Sequence, residues 1–559
     1  MQPSSTRKVT GRVYTPPALA AFLARRAIAA TRHPRGGVAL DPACGDGALL
    51  SALVGHRPEW KVHGIDVDAT ALSAARRRLP ASATLIDADF LEGSDGAPPA
   101  DLVIANPPYV RTQLLGAARA AQLRERFGLV GRVDLLHAFI VASFERLAPG
   151  GVLALLASNR FLTTRAGAGV RDVIGRRAEL VELIDLGDTG LFDAAVLPAI
   201  LIARLGTART GTAARGVRVY RRGHSATCSG GPAERSDPPA ERSDAPATRS
   251  GGVDHAAVLD EIDEGTTREV DVGGLGLIID RGIVKTDAAS GTWRISTPAE
   301  ERWTAAVRRR APLTFGDVAR IRVGVKTTAD AVFVRPSFAA LPAEERPEAA
   351  IVRPLLTRDV AAPFQATSAP THEVLYPHEI VDGARRAIDL DAFPRAARYL
   401  ERHRERLSSR TYVMESGRRW YELWVPHRPD GWAEEKVVFP DIAERPCFFL
   451  DRTGAVVAGH CYWLVAKSGG ADVLKMILAI ANSSLALRWY DAECGNRLYH
   501  GRRRFITQYV ERFPIPDPDG AAGRRLVAAV DERMSGEKTP AADAAVEEVV
   551  RQTLERGRS

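Results

Sequence analysis

An amide, two proline rings and a phenol follow directly after a short apolar run. Residues 102–105 are apolar, and Asn106, Pro107, Pro108 and Tyr109 come next. Because proline lacks an N–H and fixes φ at about −65°, a strand over 102–105 must end at Asn106. The side-chain oxygen of Asn106 and the carbonyl oxygen of Pro107 can together accept both hydrogens of a planar nitrogen and direct its lone pair at an electrophile. The four residues therefore predict a site for an amine or amide nitrogen.

Three other predicted strands end in acidic residues. The turn Asp41-Pro-Ala-Cys-Gly-Asp-Gly47 follows the first strand, Asp66 ends the next, and Asp89 and Phe90 follow the third. A glycine-rich turn before a helix lets a ligand approach the backbone and adds partial positive charge. Leu50 occupies the place of the third glycine of a dinucleotide fingerprint, which argues against a pyrophosphate. Carboxylates for a ribose and an aromatic ring beside an acceptor suit an adenosine that carries a methionine tail.

The elements that position these residues alternate in type. From about residue 16 to 205 short apolar strands alternate with amphipathic helices, which is the rhythm of an open parallel sheet. The carboxyl ends of parallel strands meet at one edge, so we expect the residues above to lie together. The predicted strands are 38–40, 62–65, 83–86, 102–105, 152–157, 180–186 and 199–203, and the predicted helices are 16–30, 48–54, 69–78 and 135–147.

In motif order, the first ~205 residues resemble the S-adenosylmethionine-dependent DNA adenine-N6 methyltransferases of the γ class. The resemblance implies a Rossmann-like methyltransferase domain that uses S-adenosyl-L-methionine and methylates an adenine flipped out of duplex DNA. It implies that Asn106, Pro107, Pro108 and Tyr109 are catalytic, and that Tyr109 and Phe192 form the target-base pocket. The cofactor-binding residues that it implies are Tyr14, Thr15, Pro16, Asp41, Ala43, Cys44, Gly45, Gly47, Asp66, Asp89, Phe90 and Asn106.

A second region, residues 310–516, resembles the TaqI-like C-terminal specificity domain of type II modification enzymes. The resemblance is carried by short motifs, among them Gly324-Val-Lys-Thr327, Lys436-Val-Val-Phe-Pro-Asp-Ile442 and Phe513-Pro-Ile-Pro516. It implies a mixed α/β target-recognition domain. The run 496–505 interleaves arginines with aromatic residues, as phosphate contacts beside a base-reading surface do. The expected DNA contacts are Lys326, Arg497, Arg502, Arg503 and Arg504.

The remaining organisation is predicted from composition. Residues 1–222 are expected to form the catalytic domain, and 223–252, with a repeated Pro-Ala-Glu-Arg-Ser-Asp, a disordered low-complexity insertion. We expect a connecting segment over 253–309, the recognition domain over 310–516, and a peripheral helical polar tail over 517–559.

Charge and cysteine content limit the classes of partner. The formal net charge of +8 favours a polyanionic partner, which we expect to be double-stranded DNA. Five scattered cysteines predict neither a disulfide framework nor a metal site. The N-terminus lacks an apolar signal and no apolar run approaches ~20 residues, so we expect a cytoplasmic protein that binds no membrane. We further expect a monomer on DNA, with a separately encoded restriction endonuclease as partner.

Several alternatives remain open at this stage. The same tetrapeptide occurs in methyltransferases that act on RNA or on protein glutamine, and a catalytically idle fold could serve as the DNA-recognition subunit of a defence complex. Residues 429–436 contain a Pro-Asp pair and a Glu-Glu-Lys triplet that superficially resemble a nuclease motif. The short spacing and the predicted strand at Lys436 argue against that activity.

Overall fold

The computed structural model describes residues 14–33, 35–93, 96–108, 117–129, 135–191, 197–206, 213–222, 254–287, 291–495, 497–498, 501–537 and 539–555. The chain divides into two compact units. The first unit comprises Met1–Pro298 and Gly495–Gly501, and the second comprises Ala299–Cys494 and Arg502–Ser559.

An eleven-stranded sheet forms the centre of the first unit. Its strands are β1 (Val38–Asp41), β2 (Lys61–Asp66), β3 (Thr84–Asp87), β4 (Ala100–Ala105), β5 (Leu147–Ser158), β6 (Ala178–Asp185), β7 (Pro198–Leu205), β8 (Arg215–Arg221), β9 (Arg268–Val272), β10 (Leu275–Thr286) and β11 (Trp293–Ser296). The spatial order is β3-β2-β1-β4-β5-β7-β6-β8-β10-β11, with β9 paired to β10. Strands β1 to β6 and β8 share one direction, while β7 and β10 run antiparallel to their neighbours.

Helices cover both faces of this sheet. They are α1 (Pro17–Ala30), α2 (Ala48–His56), α3 (Ala69–Arg78), α4 (Ala117–Phe127), α5 (Leu135–Arg146), α6 (Arg160–Thr163), α7 (Ala168–Arg177) and α8 (His255–Asp263). Successive residues of a strand point to opposite faces. Leu102 therefore belongs to the core that also contains α1, α2, α3 and α8, whereas its neighbour Val103 belongs to the core that contains α4 to α7. The predicted α/β class, with a Rossmann-like and mostly parallel sheet in the first unit, is confirmed.

The segment expected to connect the two domains is largely part of this sheet. Strand β10 pairs with β8 from Leu277 to Ile283, and helix α8 buries Val258, Leu259 and Ile262 against α1 and the sheet. The first unit therefore extends to Pro298, beyond the expected boundary at residue 222. The expected insertion, 223–252, lies outside the described residues.

The second unit is built from small sheets and short helices. Its strands are β12 (Leu313–Thr314), β13 (Ala319–Val323), β14 (Val334–Arg335), β15 (Val352–Leu356), β16 (Phe364–Gln365), β17 (His372–Leu375), β18 (His378–Val381), β19 (Ala384–Ala387), β20 (Lys436–Pro440), β21 (Ile442–Ala443), β22 (Phe449–Asp451), β23 (Val456–Val457), β24 (Cys461–Ala466), β25 (Arg503–Arg504) and β26 (Pro514–Ile515). Its helices are α9 (Pro298–Arg310), α10 (Phe315–Val318), α11 (Asp330–Phe333), α12 (Pro394–Glu401), α13 (Arg404–Ser408), α14 (Thr411–Glu415), α15 (Gly470–Ala481), α16 (Ser484–Glu493), α17 (Thr507–Val510), α18 (Ala521–Ser535) and α19 (Pro540–Leu554).

A five-stranded sheet, β13-β24-β20-β22-β16, separates two hydrophobic cores of the second unit. Val437 and Phe439 face the core that contains α15, while Val438 faces the core that contains the four-stranded sheet β14-β17-β15-β23. The mixed α/β character expected for this region is thus present.

The C-terminal helices α18 and α19 are integral to the second unit. Leu526, Val530, Val550 and Leu554 are fully buried in the core beside α15. The sequence correctly indicated helices here, but the expectation that they are peripheral was wrong. Their apolar residues recur at helical spacing and so form one buried face, which the many charged residues between them obscured.

Within the described residues, no single helix has the length and apolar character needed to cross a membrane, although α15 and α16, bent by 76°, meet these criteria as a pair.

Candidate active site

The turn after β1 is held in shape by a buried carboxylate. Asp41 is 1% exposed, and its Oδ1 accepts the backbone N–H of Ala43 at 3.1 Å. Gly45 and Gly47 adopt φ values of 54° and 77°, which residues with a Cβ rarely adopt. Helix α2 begins directly after Gly47. The sequence pattern of acid and glycines therefore reflects a real backbone requirement at this strand end.

Asp66, the last residue of β2, is tied to the same turn. Its Oδ2 accepts the N–H of Gly45 at 2.8 Å, and its Oδ1 accepts the N–H of Asp68 at 2.9 Å. A carboxylate has about four acceptor positions, more than these two bonds occupy. This arrangement can hold two neighbouring hydroxyl groups.

Asp89 is held by an arginine that the sequence did not single out. Its Oδ1 accepts the N–H of Leu91 at 2.9 Å, and its Oδ2 accepts Nη2 of Arg119 at 2.7 Å. Arg119 also forms an ion pair with Glu92. Phe90 is buried and stacks on Phe139 with 5.7 Å between ring centroids. Asp89 thus combines a fixed position with a charged partner.

The amide of Asn106 is oriented by the N-terminal segment. Strand β4 is almost entirely buried and ends at Ala105, after which Asn106 Nδ2 donates to Thr15 Oγ1 at 3.1 Å. Thr15 and Pro107 are buried, while Pro108 is partly exposed. With its nitrogen engaged, the amide can offer Oδ1 as an acceptor. The structure therefore brings Thr15 of the expected N-terminal motif to the expected catalytic asparagine.

Residues from these strand ends and from the N-terminal segment line one cavity of about 350 Å³. Eight predicted residues line it, namely Tyr14, Ala43, Gly45, Asp66, Asp89, Phe90, Asn106 and Pro108. The other described residues expected here do not line it, namely Thr15, Pro16, Asp41, Cys44, Gly47 and Pro107. Tyr109 and Phe192, the expected base-stacking residues, lie outside the described residues.

Eight further lining residues were not among the predicted site residues, and three of them, Val67, Arg119 and Phe139, bear on ligand binding. Val67 is 61% exposed although it is apolar, and Phe139 and Arg119 come from helices α5 and α4. An apolar side chain exposed directly after an acidic strand end could have indicated Val67. Nothing in the local pattern distinguishes Arg119, because its role depends on where α4 packs.

Two ionisable groups beside the cavity are shifted towards neutrality. Burial raises the pKa of the Asp41 carboxyl to about 8. The hydrogen bond from the Ala43 N–H lowers this pKa, and the negative charges of Asp66 and Asp46 raise it. Burial, together with Asp41 and Asp66, also raises the pKa of the Cys44 thiol. Cys44 is therefore an unreactive apolar residue of the turn.

The basic residues predicted to contact DNA differ in their surroundings. Lys326, Arg502 and Arg504 are exposed. Arg503 instead forms two hydrogen bonds to Asp491, of 2.9 and 2.7 Å. Arg497 belongs to the segment Gly495–Gly501 of the first unit, and its guanidinium carbon lies 3.8 Å from the ring centroid of Tyr220. Arg503 and Arg497 therefore have intramolecular roles that the sequence did not reveal.

The nuclease-like residues do not form a common site. Lys436 is fully buried, with Nζ 2.6 Å from Asp451 and 2.8 Å from the carbonyl oxygen of Trp432. Asp430 is exposed and pairs with Arg428 at 2.7 Å. A buried, paired ammonium group cannot assist a metal-bound phosphate, so Lys436 is a structural residue.

Three family models match the chain. Residues 97–192 match the Eco57I restriction-modification methylase, 385–515 the TaqI-like C-terminal specificity domain, and 39–122 a methyltransferase domain. Fold and cavity together thus define a Rossmann-like methyltransferase that carries a specificity domain.

Relatives match over nearly the whole length. Type II methyltransferase M.BanIII of Aneurinibacillus aneurinilyticus is 34% identical over 94% of this chain and 93% of its own, and M.BstVI of Geobacillus stearothermophilus is 23% identical over 89% and 88%. The type IIL restriction-modification enzyme MmeI, solved in complex with DNA, shares the fold with a TM-score of 0.60 at 13% identity, covering 100% of this chain and 78% of its own. The chain belongs to the type II methyltransferases of restriction-modification systems and methylates DNA.

Proposed function

We propose that the protein transfers a methyl group from S-adenosyl-L-methionine to N6 of an adenine that is flipped out of double-stranded DNA. The observation that carries the proposal is the placement of Asn106 beside the cavity, with its amide fixed by Thr15. The proposed partners are duplex DNA and a separately encoded restriction endonuclease, and we propose a cytoplasmic enzyme that acts as a monomer.

The cavity residues fit this cofactor in chemistry. Asp66 would hold the ribose hydroxyls, Asp89 would accept the adenine amino group, and Val67 with Phe139 would contact the faces of the base. Asp41, whose carboxylate accepts the N–H of Ala43 in the turn, would balance positive charge on the methionine moiety. When bound, the cofactor supplies an electrophilic methyl group.

The target amine is a weak nucleophile because its lone pair is delocalised into the purine ring. Asn106 Oδ1 and the Pro107 carbonyl oxygen would accept its two hydrogens and draw the nitrogen towards tetrahedral geometry. No general base is required before attack, since the proton can leave afterwards. The two prolines limit the movement of these acceptors, so little entropy is lost when the base arrives. Tyr109 and Phe192 remain the predicted stacking partners of the base.

Unlike the tetrapeptide alone, the second unit favours DNA over RNA or protein as the substrate. M.BanIII matches along nearly the full length, including the region of the specificity domain. An RNA or glutamine methyltransferase would not need a partner of this size, and an idle recognition subunit would not need both Asn106 and the cofactor turn.

Transfer of a labelled methyl group tests the proposal. Purified protein is incubated with labelled S-adenosylmethionine and duplex DNA, RNA or protein extract, and the labelled DNA is hydrolysed to nucleosides. We expect label only in N6-methyladenine. Label in N4-methylcytosine, RNA or protein would refute the adenine-N6 assignment.

A further inference from the structure

Five distant chain segments meet at Asp441 in the second unit. The residues are Lys326, Arg358, Asp441, His460 and Arg504, which we call the Asp441 cluster. Burial raises the pKa of the Asp441 carboxyl, and the nearby basic side chains of Arg504, His460, Arg358 and Lys326, in that order, oppose the rise. Burial lowers the pKa of His460, so the positive charge near this acid comes from Lys326 and the two arginines. A single acid therefore lies within the field of three cations.

The backbone around Asp441 is fixed on both sides. Its N–H donates to the carbonyl oxygen of His460 at 3.0 Å, and its own carbonyl oxygen accepts the N–H of Phe505 at 2.7 Å. His460 Nε2 in turn accepts the N–H of Arg358 at 3.2 Å. Strand β21 pairs with β25, which places Ile442 opposite Arg504. Hydrogen bonds that involve the main chain thus hold together the segments that carry Arg358, Asp441, His460 and Arg504.

The carboxylate itself is not used by the fold. Asp441 is half-buried, and in the part of the chain that the structure describes no group donates a hydrogen bond to its side-chain oxygens. Lys326, Arg358 and Arg504 are exposed around it. This contrasts with Asp491, whose two oxygens are taken by Arg503. Asp441 keeps its acceptor capacity while cations surround it.

We propose that Asp441 determines sequence specificity by accepting a hydrogen from the exocyclic amino group of a cytosine or adenine, while Lys326, Arg358 and Arg504 contact the flanking phosphates. A carboxylate in a basic surface accepts from a base amine and repels a base that offers a carbonyl oxygen. Phosphate contacts around it position the duplex but carry no sequence information. The proposal rests on the methylation of DNA by the protein and not on which base is methylated.

The test compares the sequences that variants methylate. Asp441→Asn, Asp441→Glu and Glu444→Gln are expressed in a host without this modification, and methylated positions are mapped by long-read sequencing. Glu444 is an exposed acid three residues away that lies beside Arg502, so its substitution is a matched control.

We expect Asp441→Asn to relax one position of the recognition sequence, with methylation of sites that differ there rising at least about tenfold relative to the cognate site. Glu444→Gln should keep the wild-type sequence. A structural role of Asp441 would instead lower methylation of all sites equally or lower the Tm, and an unchanged recognition sequence in both Asp441 variants would overturn the proposal.

Two further measurements test the proposal if Asp441→Asn is unstable and identify the base pair that is read. If Asp441→Asn does not fold, as judged by its melting curve, Asp441→Glu shifts the carboxylate and should alter discrimination at the same position. Single-turnover methylation of synthetic duplexes, each with one base pair replaced, then identifies the pair that is read. Absence of DNA methylation by the wild-type protein would refute the DNA activity itself, which distinguishes the two failures.

Discussion

The two units place their chemistry in different ways. In the first unit the candidate site lies where β1, β2 and β4 end side by side, so the turn after Asp41 lines the same cavity as Asp66 and Asn106, because parallel strands share an edge. In the second unit the Asp441 cluster is assembled from segments between 326 and 504, across mixed sheets. Strand order predicts the first arrangement, whereas the second depends on tertiary packing.

The largest expected effect concerns the strand-end site. Asn106→Ala should lower kcat at least about 10³-fold, because the acceptor that orients the amine is removed. Cofactor affinity, measured by calorimetry, should change little. Thr15→Val leaves Asn106 Oδ1 in place but removes the hydroxyl that orients the Asn106 amide. We therefore expect kcat to fall about tenfold. If both variants lost cofactor binding as strongly as activity, the assigned role of Asn106 would be wrong.

The second unit depends on one buried ion pair. Asp451→Ala leaves the Lys436 ammonium buried without its carboxylate. The free energy of unfolding of that unit, measured with urea, should therefore fall by about 3–5 kcal/mol. Asp491→Ala, which breaks the less deeply buried pair with Arg503, should cost less. Equal losses would show that burial does not distinguish these pairs.

Cofactor binding should depend on pH through Asp41. Its pKa of about 8 means that the carboxyl is largely protonated at pH 7, and a positively charged ligand must displace that proton. Affinity should therefore rise with pH, by up to about tenfold per unit below pH 8, and level off above it.

Calorimetric titration between pH 6.5 and 9 measures this dependence. Asp41→Asn should remove the slope, and Glu59→Gln, an exposed acid of the same unit, should retain it. If the cofactor affinity of Asp41→Asn rose with pH as steeply as that of the wild type, the proton released on binding would come from another group.

A weaker effect is expected at Arg119. Arg119→Ala removes the charged partner of Asp89, so cofactor Kd should increase about tenfold. Arg124, exposed on the same helix, provides the control, and Arg124→Ala should bind the cofactor like the wild type. Unchanged affinity in Arg119→Ala would show that Asp89 is positioned by its backbone contacts alone.

The smallest effect distinguishes two neighbouring arginines of the second unit. Arg504→Ala should reduce the slope of log K against log salt by about 1, because one phosphate contact is lost. Arg503→Ala should leave the slope unchanged, since that guanidinium is bound to Asp491. Fluorescence anisotropy with a labelled duplex between 50 and 200 mM salt, where one contact is worth about fourfold in affinity, measures both. Equal slopes in the two variants would show that Arg503 and Arg504 do not differ in their contacts with phosphate.

The sequence predicted the first unit well because its signals are local. Strand β2 ends in Asp66 and strand β4 is followed directly by Asn106, and these polar residues can be recognised without a distant partner. Arg119 could not be predicted, since nothing near it in the sequence indicates that it reaches Asp89. The extension of the sheet by β10 was missed for the same reason, because its partner β8 lies on the far side of the 223–252 segment.

In the second unit, residue type alone was a poor guide to function. Arg502, Arg503 and Arg504 are identical in chemistry, yet Arg503 is partly buried and donates two hydrogen bonds to Asp491, whereas Arg502 and Arg504 are exposed. Asp441 was noticed only as part of a family motif, and its cationic neighbours come from other segments. An arginine is available to DNA only if no carboxylate of the protein binds it, and tertiary packing determines which arginines have such a carboxylate nearby.

The burial of α18 and α19 has a consequence for synthesis of the protein. Leu526, Val530, Val550 and Leu554 complete a core whose other residues are made earlier, so this core cannot close until the last helix leaves the ribosome. A chain that stops near residue 520 would expose the apolar face of α15 to proteases and chaperones. Premature termination should therefore yield degraded fragments and not a methyltransferase with a defective specificity domain.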